Sequence, residues 1–289
     1  MYFASLKELS AQAAAIAQQG PLALVIAEDD VELEETIHHH VKLGFATIIV
    51  FLPQGIDLPD AGQQGLHVVR HDTRSRASVI DAVNTVIGMA AGQWVFYCFN
   101  SEFLIYPFCE SRNIRELLAF HSEERRDAMV CFVLDLYAGD LAQAPNAVAR
   151  NDALFDSSGY YSLARSDPEN PGETLDRQID FFGGLRWRFE EELPELSRRM
   201  DRVALFRAAK GLQLRPDHTF NLPEYNTISC PWHNNVTAAI ASFRVAKALR
   251  SNAGSSERIA TFRCARSIPF EWSSQQLMDL GFIEPGQWF

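Results

Sequence analysis

A run of apolar residues from Trp94 to Phe99 ends abruptly in the polar sequence Asn100-Ser101-Glu102. Polar side chains directly after a buried strand occupy the usual place of ligand-binding groups in α/β proteins. The Glu102 carboxylate can bind a metal or a sugar, or it can cap a loop and orient the sheet edge, and the sequence leaves both roles open. Asn100 and Ser101 can hydrogen-bond a ribose or sugar hydroxyl, but a plain turn after a strand uses the same residue types.

Two arginines form a second candidate group. Arg186 and Arg188 alternate in the segment FFGGLRWRF, which predicts a strand and would place both side chains on one face. Two guanidinium groups on one face can clamp a diphosphate and so replace a missing cation. The alternative is a salt bridge to the acidic residues 190–192, at the start of a helix predicted over residues 190–200.

Composition excludes several classes of protein. The chain has 289 residues, of which 47% are hydrophobic, and a formal net charge of -11. So acidic a surface argues against a nucleic-acid partner. The five cysteines form no C-x-x-C pair, so neither a zinc site nor a disulfide framework is expected. The first residues lack a basic start and no segment is long and apolar enough to span a membrane, so the cytoplasm is the expected location.

Short apolar strands alternate with amphipathic helices, which predicts an α/β fold with a mixed, mostly parallel sheet flanked by helices. The predicted strands are 22–27, 46–52, 66–70, 94–99, 128–136 and 203–206. Four helices are predicted before residue 128. The first covers residues 5–19, and the second is capped by Asp29 or Asp30 and runs to Gly44. The third begins at Ser75 and the fourth at Ser111. Residues 140–180 predict a long polar loop, and residues 251–257 predict a flexible break before the C-terminal tail.

The order of these landmarks resembles a bacterial branch of the family 2 glycosyltransferases, over nearly the whole chain. The similar segments are ETIHHHVKLGFATIIVF, WVFYCFNSEFLIYP, LDLYAGDL, ALFDSSGYY, FFGGLRWRF, RVALFR, PDHTF, IASFRVAK and RSIPFEWSSQQLMDLGFI. The resemblance implies a single domain of the glycosyltransferase A type over residues 21–250. A helix over residues 1–20 would precede this domain, and a tail over residues 251–289 would pack on it.

The chain departs from the family at its reactive positions. The places of the family's Asp-x-Asp motif read Phe99 and Ser101, and the late His of a His-Phe-Lys segment reads Ser242. In the family the second aspartate and that His are metal ligands. Divalent cations such as Mg²⁺ need mostly anionic oxygen ligands, so we expect no firm metal site. Only Glu102 remains to hold a weakly bound Mg²⁺ or Mn²⁺.

The resemblance also implies roles for residues along the chain. Glu28 stands where the family has its first acid, and His218 stands at the place of its lone His. An inverting transfer needs a carboxylate beside the acceptor hydroxyl, and Asp156, Asp176 and Asp180 are candidates. We take Asp156 and Asp180 as the catalytic candidates. The donor-binding candidates are Glu28, Asn100, Ser101, Glu102, Arg186, Arg188 and His218.

Three smaller features complete the list of candidates. Tyr160, close to Asp156, can engage an acceptor. Trp232 and His233 can stack on a sugar ring or simply form a turn packed on the core. The consecutive histidines 38–40 cannot converge on one ion, because neighbouring residues of a helix point in different directions.

Two hypotheses follow from the resemblance and its departures. In the first, the chain is a glycosyltransferase acting in polysaccharide biosynthesis, with weak or metal-independent transfer from a nucleotide sugar to a glycan or lipid-linked acceptor. In the second, it is a catalytically silent relative that binds a glycan, a nucleotide or an active partner enzyme. Homo-oligomers and peripheral attachment to the inner face of the membrane remain open under both.

Overall fold

The computed structural model describes residues 1–17, 19–58, 65–228 and 235–288, and it confirms an α/β fold with a mostly parallel sheet flanked by helices. The strands are β1 (Tyr2–Phe3), β2 (Leu22–Ile26), β3 (Thr47–Leu52), β4 (Leu66–Arg70), β5 (Trp94–Phe99), β6 (Glu102–Ile105), β7 (Ala128–Asp135), β8 (Tyr137–Ala138), β9 (Ala153–Asp156), β10 (Tyr161–Ser166), β11 (Thr174–Phe182), β12 (Asp201–Arg207), β13 (Ala238–Ser242) and β14 (Ser267–Pro269). The helices are α1 (Leu6–Ala11), α2 (Ala13–Ala17), α3 (Leu33–Lys42), α4 (Arg76–Met89), α5 (Ile114–Glu123), α6 (Gly184–Arg188), α7 (Arg244–Ser251), α8 (Ala253–Ser256) and α9 (Ser274–Asp279).

The chain divides into two compact units. The first consists of residues 1–103, 109–130 and 203–226. Its strands follow the order β1-β4-β3-β2-β5-β12, in which β1 to β5 run parallel and β12 is antiparallel to β5. Every residue of β2, β3 and β5 is buried, as expected for parallel strands covered on both faces. The carboxyl ends of β2 and β5 therefore lie side by side.

The second unit consists of residues 104–108, 131–202 and 227–289. Strand β13 pairs in parallel with β7, and β8, β9 and β14 form a small antiparallel sheet. Strands β10 and β11 form a separate antiparallel hairpin. The hydrophobic cluster beside these strands includes Tyr137, Leu185, Val245, Leu249 and Phe262.

The strands predicted in the first half agree with the structure to within a residue or two, whereas β1 and β6 were not predicted. Two predicted helix caps were wrong. Ser75 caps α4, as predicted. The N-cap of α3 is Glu32, not Asp29 or Asp30, because Asp29 instead accepts a hydrogen bond from the Val31 backbone N–H. Helix α5 begins after Asn113, not Ser111, since Asn113 and Glu116 form a reciprocal capping box.

The second half contains more structure than the sequence predicts. The segment expected to be a loop over residues 140–180 contains β9, β10 and most of β11. The segment expected to be a strand around Arg186 and Arg188 is helix α6, and the helix expected over 190–200 is two 3-10 turns, Glu190–Glu192 and Glu195–Ser197. The expected break at 251–257 contains α8. Within the described ranges, no helix is long and apolar enough to cross a membrane.

Candidate functional site

Asn100 ties the turn after β5 to the turn after β2. Its Oδ1 accepts a hydrogen bond from the Glu28 backbone N–H at 2.9 Å. Its Nδ2 donates to Oδ1 of Asp29 at 2.6 Å and to the carbonyl oxygen of Val31 at 2.9 Å. The side chain has no exposed surface, so its polar atoms serve the protein's own turn at the edge where a ligand was expected.

Ser101 is also part of the interior. It has a left-handed backbone with φ of 64°, and its side chain has no exposed surface. The Ser101 hydroxyl donates to the Val31 carbonyl oxygen at 2.9 Å, and its backbone N–H donates to the Thr36 hydroxyl at 2.9 Å. The position that the family resemblance assigns to a metal ligand thus connects the strand end to helix α3.

Glu102, the first residue of β6, is buried without exposed surface, and its side chain turns back to the end of β5. Its Oε2 accepts a hydrogen bond from the backbone N–H of Phe99 at 2.8 Å. Phe99 itself is 1% exposed and carries no ligand atom. This geometry fits the loop-capping alternative for Glu102, and within the described residues no three His, Cys, Asp or Glu side chains come together in a way that could hold a metal ion.

The same edge of the sheet carries other charged groups. Glu28 is partly exposed after β2, and Asp30 and Asp72 are exposed after β2 and β4. The Thr73 hydroxyl donates to the Ala27 carbonyl oxygen, which holds these two strand ends together. Since carboxylates repel a diphosphate, these side chains disfavour the binding of a nucleotide sugar in the absence of a cation.

His218 and the run of histidines occupy separate environments. His218 is partly buried, and its Nδ1 lies 2.9 Å from the Tyr97 hydroxyl, with the two rings stacked. His38 is exposed whereas His40 is fully buried and bonded to the Thr36 carbonyl, so the predicted divergence of consecutive histidines is confirmed. Burial lowers the pKa of His40 to about 3, with His39 adding to the effect.

In the second unit, Arg186 is held by a buried carboxylate. Its Nε donates to Oδ1 of Asp135 at 3.0 Å, and its backbone N–H donates to Oδ2 at 3.2 Å. Gly184, with φ of 58°, brings the backbone against this carboxylate, and an added Cβ would lie 3.3 Å from Oδ2. Burial raises the pKa of Asp135, while the charge of Arg186 lowers it. The two groups form a compensated buried ion pair.

Arg188 is held by Asp156 and by the C-terminal segment. Its Nε lies 3.0 Å from Oδ2 of Asp156, in an ion pair without hydrogen-bond geometry, and its terminal nitrogens donate to the Phe262 carbonyl at 2.8 and 2.7 Å. Oδ1 of Asp156 accepts from the Tyr137 hydroxyl at 2.6 Å. Burial, reinforced by this hydrogen bond, raises the pKa of Tyr137. The hydroxyl oxygen of Tyr137 also lies 2.7 Å from that of Ser267.

The two arginines therefore do not form the predicted clamp. Residues two apart on a helix point in roughly opposite directions, and each guanidinium binds a different carboxylate. The alternative salt bridge to residues 190–192 is also wrong for both, since their partners are Asp135 and Asp156.

The remaining carboxylate candidates are paired as well. Asp180 lies 2.7 Å from Arg165 and 3.3 Å from Arg199. Asp176 is exposed and pairs with Arg177. The Tyr160 hydroxyl donates to the Asp156 backbone carbonyl at 2.8 Å, and burial raises the pKa of Tyr160 well above its ordinary value. Trp232 and His233 lie outside the described residues.

Three residues of these networks escaped sequence reasoning. Thr36 is one of two polar residues on the buried face of α3, a position that its spacing to Leu33 and Ile37 signals. Arg165 and Asp201 gave no comparable signal, because their ion pair joins positions 36 residues apart. Arg165 on β10 and Asp201 at the start of β12 meet because both segments lie beside β11.

These residues define an α/β protein whose polar groups at the end of β5 are buried, and whose arginine candidates are committed to internal ion pairs. In comparisons with known proteins, no protein-family model and no curated protein matches the sequence.

Proposed function

We propose that the chain is a catalytically silent glycosyltransferase-like protein of the glycosyltransferase A type, which binds a neutral glycan or a partner enzyme and does not transfer sugar from a metal-bound nucleotide. The observation that carries this proposal is the burial of Asn100, Ser101 and Glu102, none of which has exposed surface. A donor-binding residue must reach its ligand, and these three are occupied by the turns around them.

The chemistry of the strand end supports the same proposal. Phe99 offers no ligand atom, and the Ser101 hydroxyl already donates to a backbone carbonyl. A divalent cation that offsets a departing diphosphate needs several oxygen ligands that are free to bind it. Glu102 alone, with one oxygen bonded to the Phe99 N–H, does not supply them.

The ion pairs of α6 argue against metal-independent transfer. Such a reaction would use arginine charge to stabilise the leaving diphosphate. The charges of Arg186 and Arg188 are matched by Asp135 and Asp156, whose side chains are each 1% exposed. Releasing either arginine would leave a buried carboxylate without its partner, which is costly.

The test combines binding and turnover. Melting temperatures are measured with UDP, GDP, CMP and dTDP sugars, each with and without Mn²⁺ or Mg²⁺, and release of the nucleotide is followed over hours. A ligand of the folded state raises the melting temperature by mass action. We expect no metal-dependent shift and no release, and we expect binding to neutral glycans or to an active glycosyltransferase.

A metal-dependent shift, or nucleotide release above that of a heat-denatured sample, would overturn the proposal. A metal-independent shift with accompanying release would establish the alternative, transfer without a cation. An active metal-dependent glycosyltransferase, assayed in parallel, verifies that each donor is intact.

A further inference from the structure

The outer strand of the β10–β11 hairpin is open to solvent. Tyr161 and Leu163 are 43% and 56% exposed, and along β10 only Arg165 is partly buried. An exposed strand edge presents backbone groups that can pair with another strand.

The backbone groups that face outward can be identified from β11. The Phe181 N–H donates to the Asp201 carboxylate at 2.8 Å, and the Phe181 carbonyl accepts from the Met200 N–H at 2.9 Å. Both groups of Phe181 therefore point away from β10. Phe181 lies opposite Ser162, so these two residues form a non-hydrogen-bonded pair. Hydrogen-bonded and non-hydrogen-bonded pairs alternate along an antiparallel ladder. The backbone groups of Ser162, and of Ala164 two residues on, consequently point outward.

The outward edge is only partly protected against pairing. In the part of the chain that the structure describes, the outward backbone groups of Ser162 and Ala164 meet no partner. The strand contains neither proline nor lysine, which commonly guard such edges. A register shift between Ala164 and Ser166 limits regular pairing to residues 161–164.

The base of the hairpin holds this edge in place. Arg165 lies 2.7 Å from Asp180 and 3.0 Å from Asp201, and Arg199 lies 3.2 Å from Asp201. Burial raises the pKa of Asp201, and the charges of Arg199 and Arg165 lower it. The charge of Arg165 is therefore offset by Asp180 and Asp201, and the edge presents no uncompensated charge of its own.

We propose that the outer edge of β10 pairs antiparallel with β10 of a second copy of this chain, about a two-fold axis at Leu163. Ser162 of each copy then lies opposite Ala164 of the other, and the two pairs exchange four backbone hydrogen bonds. The two hairpins become one four-stranded sheet, an isologous contact of the kind that closes a dimer.

A second copy suits this edge for two reasons. The outward backbone groups belong to Ser162 and Ala164, which lie on either side of Leu163. A two-fold axis at Leu163 therefore places the groups of one strand opposite those of the other, in antiparallel orientation. Because Arg165 is neutralised by Asp180 and Asp201, no like charges meet across the axis. The contact is short, so we expect a weak dimer that is strengthened by salt, which screens the repulsion between chains of net charge -11.

The first test is sedimentation of the full chain at concentrations from about 5 to about 200 µM, where a weak dimer should dissociate on dilution. We expect a concentration-dependent dimer for the wild type and a monomer for Leu163→Arg. The matched control is Leu196→Arg, since Leu196 is a similarly exposed leucine (53%) of the same unit outside the hairpin. Dimerisation of this control should equal that of the wild type.

The second test determines which residues of the two β10 strands lie opposite each other. At a non-bonded antiparallel pair the Cα atoms lie about 4.5 Å apart, within the range for a disulfide. Leu163→Cys should therefore form an interchain disulfide under mild oxidation, whereas Ser162→Cys, displaced from its own counterpart by the register, should crosslink no faster than the wild type. A wild type that is monomeric throughout, or equal crosslinking of the two cysteine variants, would overturn the proposal.

Discussion

Asn100 and Asp29 are joined by a hydrogen bond of 2.6 Å between Nδ2 and Oδ1, across 71 residues of sequence. The bond connects the carboxyl ends of the parallel strands β2 and β5. In many α/β proteins this edge binds the ligand. Here the side-chain amide of Asn100 binds the neighbouring turn, so it is not available to a ligand.

The bond makes Asn100 sensitive to a single-atom change. Asn100→Asp replaces the donor Nδ2 with an oxygen that would face the Asp29 carboxylate and the Val31 carbonyl. We expect a loss of about 2–4 kcal/mol in the free energy of unfolding, measured with urea at neutral pH. Asn146→Asp is the control, because Asn146 is exposed and its Oδ1 only accepts a hydrogen bond, from the Val148 N–H. Equal stability of the two variants would refute the assigned hydrogen bonds.

Restoring the first aspartate of the Asp-x-Asp motif at Phe99 should not create a metal site. Phe99 is 1% exposed, so Phe99→Asp places a carboxylate in the core and removes a large apolar side chain. We expect a loss of roughly 3–5 kcal/mol in unfolding free energy and no change in melting temperature on adding Mn²⁺. Phe99→Leu, which keeps the site apolar, is the control. Stabilisation of the Asp variant by Mn²⁺, without a similar effect on the Leu variant, would contradict this expectation.

The buried pair of Arg186 and Asp135 should matter far more than an exposed pair. Arg186→Ala leaves the buried Asp135 carboxylate without its counter-charge, and we expect about 3–5 kcal/mol of destabilisation in urea unfolding. Arg177→Ala removes an exposed pair with Asp176 and should cost less than about 1 kcal/mol. A comparable loss of unfolding free energy in both variants would show that burial does not increase the contribution of an ion pair.

Buried neutral histidines should make the protein less stable in mild acid. Burial lowers the pKa of His121 to about 4, with Arg126 adding to the effect, and lowers that of His40 to about 3. The unfolded chain takes up protons near pH 6.5 while the folded state does not, so stability is full above pH 6.5. It falls by up to about 1.4 kcal/mol per pH unit for each histidine as the pH drops toward the folded pKa.

The His121 effect can be isolated by substitution. Neither ring nitrogen of His121 has a hydrogen-bond partner in the described part of the chain, so His121→Phe removes the titration without removing a bond. We expect urea unfolding of this variant to depend less on pH between about 4 and 6.5. Exposed His38→Gln is the control. The pH slope of the variant is compared with that of the wild type, because the raised pKa values of Asp135 and Asp201 make the folded state more stable as the pH falls, opposite to the effect of the histidines. An unchanged pH slope in His121→Phe would disprove the assignment.

Sequence periodicity predicted the first half of the fold well. Strands β2, β3 and β5 are almost continuously apolar, and such runs have few alternatives to a buried parallel strand when amphipathic helices separate them. Helix α6 was predicted as a strand, because five residues are too few for a helical period to show in GLRWR. The same polar composition that predicted a loop also allowed the exposed hairpin of β10 and β11.

The sequence by itself determined the α/β class, the buried strands and the absence of an Asp-x-Asp motif at Phe99 and Ser101, because these depend on residue types close together along the chain. Only the tertiary structure decided that Asn100 meets Asp29, that Arg186 and Arg188 bind Asp135 and Asp156, and that Ser162 faces outward. Whether a polar side chain meets a ligand, water or another part of the protein depends on groups that are distant in sequence, and local residue patterns carry no information about them.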